Sequence, residues 1–443
     1  MSSRLFAVRL EPSSEDEPIA ASPVVPQWGL ARRILFRFVF VYFLVYLLPF
    51  PLDVIPGAET VNQKYQNLWN AVVPWVAGHV FHVGIPAQPA GSGDTTYNYV
   101  QIFCYAVLAA AATLVWTLLD RKRKSYVRLH EWFRIYVRFA LAVVMLSYGM
   151  AKVFKGQFPD PSLDRLLQPY GTSSPMGILW TFMGASTAYT VFSGLCEVVG
   201  GLLLTARRTA LLGALVSMAV LGNIVMLNFC YDVPVKLYSS HLFLMGLFLA
   251  APDLGRLANL LVLNRKVEPA ERYRLFASPW LHRGALVLRT LAFTALASYM
   301  LYGAHQARKE YGDLAPKSPL YGVWNVDEFE VDGVVRPPLL TDTLRWRRVI
   351  FEYPGFVAIQ PMSESSRRVV YTLKLGKKNM TLTKRGDSKW QSAFSYQQPG
   401  PGVLALEGML DGQKVRARLH RQDASFLLVN RGFHWVNEFP FNR

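Results

Sequence analysis

Cysteine is nearly absent from this sequence. Only Cys104, Cys196 and Cys230 occur in 443 residues, and no two of them stand at a CxxC or other metal-binding spacing. This scarcity argues against a cysteine-based metal site. Each cysteine lies in or beside an apolar segment, which favours simple packing, although a bridge between Cys104 and Cys230 stays open.

The motifs of several large enzyme classes are also missing. The sequence has no phosphate-binding loop, dinucleotide fingerprint, HExxH or GxSxG, and no recognisable ligand set for haem or an iron–sulfur cluster. His79 and His82 stand three apart, but no third ligand is apparent nearby. We therefore predict no metal site and interpret the two histidines as anchors at a membrane interface.

Acidic residues are few, with 30 Asp and Glu against 47 Lys and Arg, which gives a net charge of +17. Nucleic-acid binding would need the basic residues on one water-exposed face. They lie instead at the ends of apolar runs, as in the RKRK cluster at 121–124, which directly follows such a run. The basic residues therefore indicate the ends of membrane-spanning helices, and we predict no nucleic-acid partner.

What the sequence has in abundance is apolar runs long enough to span a bilayer, which takes ~20 residues. Seven of these runs qualify, at about 33–52, 99–119, 133–153, 184–205, 210–229, 239–262 and 284–304. Lysine and arginine cluster on alternate connections, so the positive-inside rule predicts an inner-membrane protein with a cytoplasmic N-terminus and an extracytoplasmic C-terminal domain. We divide the chain into a disordered cytoplasmic tail (1–28), a helical domain (29–306) and a periplasmic domain (307–443).

Two of the outer connections are long. The first, about 53–98, contains an aromatic and aliphatic stretch that suits a helix lying along the membrane surface. The second, about 154–183, contains prolines that exclude one continuous helix. Pieces of it are expected to fold back onto the outer mouth of the helical bundle.

From Tyr321 onward the chain alternates apolar and polar residues in short runs, a pattern typical of half-buried strands. Asp332-Gly333 and Asp411-Gly412 are dipeptides that favour tight hairpin turns. Nine or ten such strands in ~120 residues predict an all-β up-and-down barrel. Its opening tripeptide, Gly322-Val323-Trp324, resembles the GxW signature of lipocalin-type barrels. That resemblance implies an arginine from a late strand beneath the tryptophan, for which Arg418 or Arg431 are the candidates.

Two motifs resemble the DoxX family of small bacterial membrane proteins. They are YGMAK at 148–152 and GLCEVVGGLLLTARRTALLGAL at 194–215, and the resemblance implies a four-helix unit at about 130–262. One branch of the family is similar to the membrane subunit of a thiosulfate:quinone oxidoreductase, which implies quinone-linked chemistry. The bundle with an extracytoplasmic β domain also resembles the layout of the vitamin K-dependent carboxylase group.

Ionisable side chains inside a bilayer cost ~2.5–3.5 kcal/mol each, so their presence needs a reason. The candidate catalytic residues are such groups in or beside the predicted spans: Lys152, Glu197, Asp232 and His241. The candidate cofactor-binding residues are their polar neighbours: Tyr148, Asn223, Asn228, Tyr231 and Lys236. Hydrogen bonding between helices or, for Lys152, snorkelling to the interface remains the alternative to a catalytic role. An ion pair between Lys152 and Glu197 also stays open.

Two functions follow as hypotheses. In the first, an outward-facing polar cavity lined by the four candidate catalytic residues binds a quinone or lipid, and the apolar barrel holds or passes on that molecule. The protein would then be an oxidoreductase or the membrane subunit of one. In the second, it is a non-enzymatic accessory or assembly protein whose barrel binds a protein partner in the envelope.

Overall fold

The fold is described from a computed structural model, which covers residues 27–55, 57–88, 91–268, 278–363, 368–423 and 425–442. The predicted cytoplasmic tail lies outside these residues, apart from its last two positions. By compactness the chain divides into two units. One comprises the described residues of 1–90 with 95–137, and the other those of 91–94 with 138–443.

Seven helices in the described residues are long and apolar enough to cross a membrane, as the sequence predicts. They lie at Leu30–Val54, Thr96–Leu119, Val127–Val153, Thr187–Thr205, Ala210–Cys230, Lys236–Leu261 and Arg283–Glu310. Large apolar side chains stay exposed along them, such as Leu119 and Leu288. A lipid environment accounts for such surfaces, because lipid tails cover them without the cost that water would impose. The chain is a multi-pass membrane protein.

Side-chain hydrogen bonds cap the N-terminal ends of several helices. Thr95 forms a capping box with Asn98, and Ser174 and Ser186 accept hydrogen bonds from helix-start amides. The helices are α1 (Leu30–Leu47), α2 (Glu59–Val80), α3 (Thr96–Leu119), α4 (Val127–Val153), α5 (Leu163–Leu166), α6 (Pro175–Ala185), α7 (Thr187–Thr205), α8 (Ala210–Cys230), α9 (Lys236–Ala250), α10 (Leu254–Leu261), α11 (Pro279–Glu310) and α12 (Leu427–Asn430). As predicted, the connection at 154–183 is broken, here into α5 and α6.

In the first unit, Arg37 on α1 is almost completely buried, at 1% exposure. Its guanidinium donates to the Tyr126 hydroxyl at 2.6 and 3.0 Å and to the Thr117 hydroxyl at 2.7 Å. It also donates to the Asp120 carbonyl at 3.0 Å, while Tyr126 donates to the Asp120 carboxylate at 2.9 Å. These hydrogen bonds connect α1 to the end of α3 and the start of α4. They also give the buried guanidinium polar partners.

The C-terminal domain is a closed antiparallel barrel. Its strands are β1 (Gly322–Val331), β2 (Val334–Val335), β3 (Trp346–Phe351), β4 (Phe356–Pro361), β5 (Val369–Leu375), β6 (Asn379–Lys384), β7 (Asp387–Gly400), β8 (Val403–Leu410) and β9 (Gln413–Gln422). Consecutive strands pair from β3 to β9, and β1 pairs with both β3 and β9. Eight strands therefore close the wall, and the short β2 extends one end of β1.

The predicted hairpin turns are present. Asp332 and Gly333 have φ angles of +52° and +82°, and Asp411 and Gly412 have +48° and +83°. Two consecutive residues with positive φ are the requirement of the type I′ turn, whose twist matches that of the strands. These turns fix the registers of β1 with β2 and of β8 with β9, so alternate side chains enter the barrel.

The barrel interior is filled by side chains. Trp346 packs against Phe329 and Phe394, with ring centroids 5.3 and 5.8 Å from its own, within a cluster of apolar residues from every wall strand. The cavity beside Trp346 measures about 10 Å³, which is room for about one water molecule. Side chains therefore occupy the space that a lipophilic molecule inside the barrel would need, and such a bound molecule stays a prediction.

The predicted arginine partner of Trp324 is also corrected. Arg418 is exposed on β9, and Arg431 lies beyond the barrel with its guanidinium 4.2 Å from the Phe441 ring. The residue opposite Trp324 is Arg421, whose Nε would lie 2.9 Å from a β-carbon on Gly322. Gly322 has φ +141° and leaves room for this arginine, while the Trp324 indole donates to the Leu320 carbonyl at 2.8 Å.

Asp342 organises the loop between β2 and β3. Its carboxylate accepts from the Leu344 amide at 2.8 Å, the Arg345 amide at 3.0 Å and the Arg336 guanidinium at 2.7 Å. The buried Arg345 side chain in turn donates to the Val326 and Asp327 carbonyls of β1 and to the Arg336 carbonyl just after β2. The Arg336 hydrogen bond is the main reason that the pKa of Asp342 is lowered to about 2.

We expect Asp342→Asn to lower barrel stability by about 1–3 kcal/mol at neutral pH, because charge-assisted hydrogen bonds are lost. A carboxyl whose pKa is depressed on folding stabilises the fold above its ordinary value of ~3.9, and this contribution is lost as pH falls toward about 2. Thermal unfolding of the full chain, followed by near-ultraviolet circular dichroism, should therefore depend less on pH in that window for the variant. Asp423→Asn, at an exposed aspartate, is the control. An unchanged pH dependence in Asp342→Asn would contradict this assignment.

Candidate functional site

Two charged side chains meet inside the second unit. The Lys152 ammonium donates to Oε2 of Glu197 at 2.9 Å and lies 2.7 Å from Oε1. Their side chains are 7% and 1% exposed, and both belong to helices that span the membrane, α4 and α7. Snorkelling of Lys152 to water, the alternative considered from the sequence, does not describe this geometry, because the ammonium is turned into the protein.

Glycine makes this pairing possible. A β-carbon on Gly194 would lie 2.6 Å from the Gly149 carbonyl oxygen and 2.8 Å from Cβ of Lys152. One on Gly149 would lie 2.8 Å from the Gly194 carbonyl oxygen. The backbones of α4 and α7 therefore cross in direct contact. Since Gly149 and Lys152, like Gly194 and Glu197, are three apart, each glycine and its ionisable residue share one helix face.

Aromatic rings surround the pair. The Lys152 ammonium lies 5.7 Å from the ring centroid of Tyr148 and 5.9 Å from that of Phe158. Tyr148 is partly exposed, and its ring lies 6.1 Å from that of Tyr238 on α9. Phe158 belongs to an apolar cluster with α6 and Val233. The ammonium thus lies between the buried Phe158 ring and the Tyr148 ring, which reaches the protein surface.

Lys155 fixes the chain just beyond α4. It has a positive φ of +55°, and its ammonium donates to the Thr187 hydroxyl at 2.9 Å, to the Gly184 carbonyl at 3.3 Å and to the Asp160 carboxylate. Three acceptors satisfy the three donors of a lysine. The sequence analysis did not select Lys155, because nothing in its spacing distinguishes it from a flank cation.

Asp232 and Lys236 form a second charged group, with 2.9 Å between the ammonium and the carboxylate. The Asp232 side chain is 84% exposed. Asp94, from a distant loop, accepts the backbone amides of Lys236 and Leu237 at 2.7 and 3.0 Å and thereby caps α9. Asp94 was missed from the sequence because its partner lies 142 positions away.

The remaining polar candidates form hydrogen bonds within one helix or between neighbouring helices, or are exposed. His241 is buried, and its Nδ1 lies 2.7 Å from the Leu237 carbonyl of its own helix. Asn228 donates to the Ser239 hydroxyl at 3.0 Å, which joins α8 to α9. Asn223 and Tyr231 are exposed.

The structure therefore brings Tyr148, Lys152 and Glu197 together and places Asp232 with Lys236. The outward-facing cavity that the sequence suggested, lined by all four catalytic candidates, stays a prediction, since the structure shows two ion pairs, one buried and one with an exposed carboxylate.

No group of three or more His, Cys, Asp and Glu side chains in the described parts of the chain could hold a metal ion. His79 stacks on Trp75 with ring centroids 4.5 Å apart and bonds the Trp75 carbonyl at 2.8 Å. All three cysteines are free, with Cys104 buried and Cys230 exposed. The open possibility of a bridge between those two is thus not realised.

The barrel contacts the connection that follows α4. Glu352, at the end of β3, accepts the Leu163 amide at 3.0 Å, and Arg368 forms an ion pair with Asp164. Burial raises the pKa of Glu352, while the Leu163 hydrogen bond opposes that shift. The short helix α5, which includes both contacted residues, therefore links the barrel to the segment between α4 and α7.

These features define a multi-pass membrane protein with a C-terminal β-barrel and a buried lysine–glutamate pair. No protein-family model matches the chain, and no solved structure matches it. A stretch of 123 residues, 27% of this chain, is 37% identical to the uncharacterized protein YwoB of Bacillus subtilis (strain 168) and covers 74% of that protein. The chain belongs to the family of YwoB, whose name assigns no activity.

We expect Gly194→Ala to push α4 and α7 apart and to destabilise the protein by about 1–3 kcal/mol, as overpacking does. The added methyl group would meet backbone at 2.6 Å, which cannot move without shifting a helix. Gly303→Ala on α11 is the matched control, since its β-carbon would meet nothing within 4 Å. Thermal unfolding in detergent compares the two. Equal unfolding temperatures for both variants would contradict the close crossing.

Proposed function

We propose that this is an inner-membrane protein whose Lys152–Glu197 pair binds the polar head of a quinone or a lipid for redox or lipid-linked chemistry of the envelope. The alternating basic flanks support a cytoplasmic N-terminus and a periplasmic barrel. DoxX-like character belongs to the same proposal, because its two motifs supply Gly149 with Lys152 and Gly194 with Glu197.

The observation that carries the proposal is the burial of two opposite charges at an apolar helix crossing. A buried ion pair is weak evidence for a stabilising role, since packed apolar residues often serve equally well or better. Ionisable groups at membrane depth commonly mark substrate or proton pathways. A functional use of Lys152 and Glu197 therefore accounts for their presence better than stability does.

The chemistry of the pair suits a carbonyl or hydroxyl head group. The ammonium has three donors, and Glu197 takes one or two of them, so a donor remains for a ligand oxygen. The carboxylate accepts a hydrogen bond from a ligand hydroxyl. The partly exposed Tyr148 ring, 5.7 Å from the ammonium, gives a lipophilic molecule an approach from the bilayer side.

We expect the double variant Lys152→Met with Glu197→Gln to fold and to lose the bound lipophile. Either single change removes one partner of a buried pair and costs ~3–5 kcal/mol, whereas the double change leaves no buried charge. Solvent extraction and mass spectrometry of protein purified in mild detergent measure the bound quinone or lipid per chain.

Glu131→Gln is the control, because it removes an ion pair with Arg134 near the other end of α4. The control should keep its bound lipophile, and the double variant should lose most of it. A folded double variant that retains the wild-type amount would overturn the proposal.

The packed barrel favours a second candidate, an accessory protein that binds an envelope partner. The interior is filled by side chains, and a groove of about 260 Å³ lies on the outer wall. Both acidic and basic side chains line this groove, namely Glu328, Glu330, Glu407, Arg416 and Arg418. A stoichiometric partner protein without a co-purifying lipophile would favour this candidate over the first.

A further inference from the structure

The chain continues beyond the last barrel strand into residues 425–442, here named the C-terminal segment. Phe433, Trp435 and Phe439 are 77%, 91% and 83% exposed, and Leu427 and Leu428 are also exposed. Single exposed apolar residues are common on protein surfaces, but several large rings within one short segment mark an interaction site.

Internal contacts give the segment a defined shape. Asn430 accepts the Phe426 amide at 2.7 Å, Arg431 donates to the Asn437 side chain at 2.7 Å, and the Arg431 guanidinium lies 4.2 Å from the Phe441 ring. The Phe433 and Trp435 rings pack edge to face, 5.0 Å apart. Polar groups therefore bond to one another within the segment, while its largest rings face outward.

The register of the barrel gives the position of the segment. Val323 near the start of β1 pairs with Gln422 at the end of β9, so the segment leaves the barrel at the end where the chain enters it from α11. Eleven residues, 311–321, join this membrane-spanning helix to β1. Phe351 pairs with Gly322 at the same end, and the adjacent Glu352 contacts α5.

We propose that the C-terminal segment is an interfacial membrane anchor. In this arrangement the Phe433, Trp435 and Phe439 rings lie among the lipid head groups beside the emerging end of α11 and hold the barrel against the bilayer. Tryptophan and other amphipathic rings concentrate at this depth, where the apolar body meets acyl chains and the polar edge meets water. The proposal is independent of any ligand of the Lys152–Glu197 pair.

The bilayer fits better than a protein partner because of this position. A segment that begins beside the last spanning helix is within reach of the lipid surface without any change in the barrel. Arg431 and the backbone groups of the segment supply polar partners for the head-group side. The lipid surface is already beside α11, whereas a second copy of the chain would have to bring its own apolar surface to the segment.

Depth-dependent quenching tests the anchor in the full chain. The three cysteines are replaced by alanine, Phe433→Cys is labelled with the fluorophore NBD, and the protein is reconstituted in phosphatidylcholine vesicles with or without nitroxide-labelled lipid. We expect the nitroxide to reduce the emission at least ~twofold, because interfacial segments lie ~5–10 Å into the head-group and acyl boundary.

Val334→Cys carries the same label as a matched control. Val334 is also exposed, but it follows the hairpin turn at the opposite end of β1. We expect little quenching there, and we expect Trp435→Ser with Phe439→Ser to reduce the quenching at position 433. Equal quenching at 433 and 334 would overturn the proposal. A blue-shifted emission at 433 without nitroxide quenching would also overturn it, because it would assign the segment to a protein surface.

Discussion

The second unit depends on one constraint, which is that the charges of Lys152 and Glu197 neutralise each other inside an apolar helix crossing. At 2.7 to 2.9 Å each supplies the counter-charge that the bilayer lacks. That distance requires the backbones of α4 and α7 to be in direct contact. Only glycine at positions 149 and 194 leaves room for this contact. Charge, backbone contact and residue size are thus parts of a single arrangement.

The same constraint orders the segment between these helices. Lys155 joins the chain after α4 to the junction of α6 and α7, and α6 packs Leu179 and Met183 around Phe158, beside the Lys152 ammonium. The barrel contacts this segment at α5 through Glu352 and Arg368. The segment between α4 and α7 therefore contacts both the helix crossing and the barrel.

The sequence predicts the fold well because the fold depends on local periodicity. Apolar runs of bilayer length locate the seven spanning helices found in the described residues, and alternation with Asp-Gly turns locates the closed barrel. Contacts between distant residues are harder to foresee. Arg421 meets Gly322 only through the pairing of β9 with β1, and Asp94 caps α9 only after the chain has folded back.

The candidate site illustrates the same difference. Glu197 stands out in the sequence because a carboxylate within an apolar helix has few explanations, and its pairing with Lys152 was one considered alternative. The sequence also grouped Asp232 and His241 with them because all four are ionisable groups in or beside the predicted spans. In the structure Asp232 is exposed and pairs with Lys236, and Nδ1 of His241 lies against a backbone carbonyl of its own helix. The spacing of residues along the chain reveals neither solvent exposure nor hydrogen bonds to the backbone.

Side chains fill the barrel interior, so contacts with other molecules are expected at its outer wall, at the C-terminal segment and at the helical bundle. Eight strands enclose a space that either side chains or one small ligand can fill, and here Trp346 and its neighbours fill it. The strand count was predictable, but the choice between these two states depends on how large side chains pack across the barrel.

The contact between Lys152 and Glu197 in the bilayer is the central claim, and solid-state NMR of the lipid-reconstituted protein tests it most directly. The measurement is the dipolar coupling between ¹⁵N at the Lys152 ammonium and ¹³C at the Glu197 carboxylate. A coupling that corresponds to hydrogen-bond contact, with the carbon at the chemical shift of an ionised carboxylate, is the result that we expect. The absence of a measurable coupling, or the shift of a neutral acid, would contradict the account.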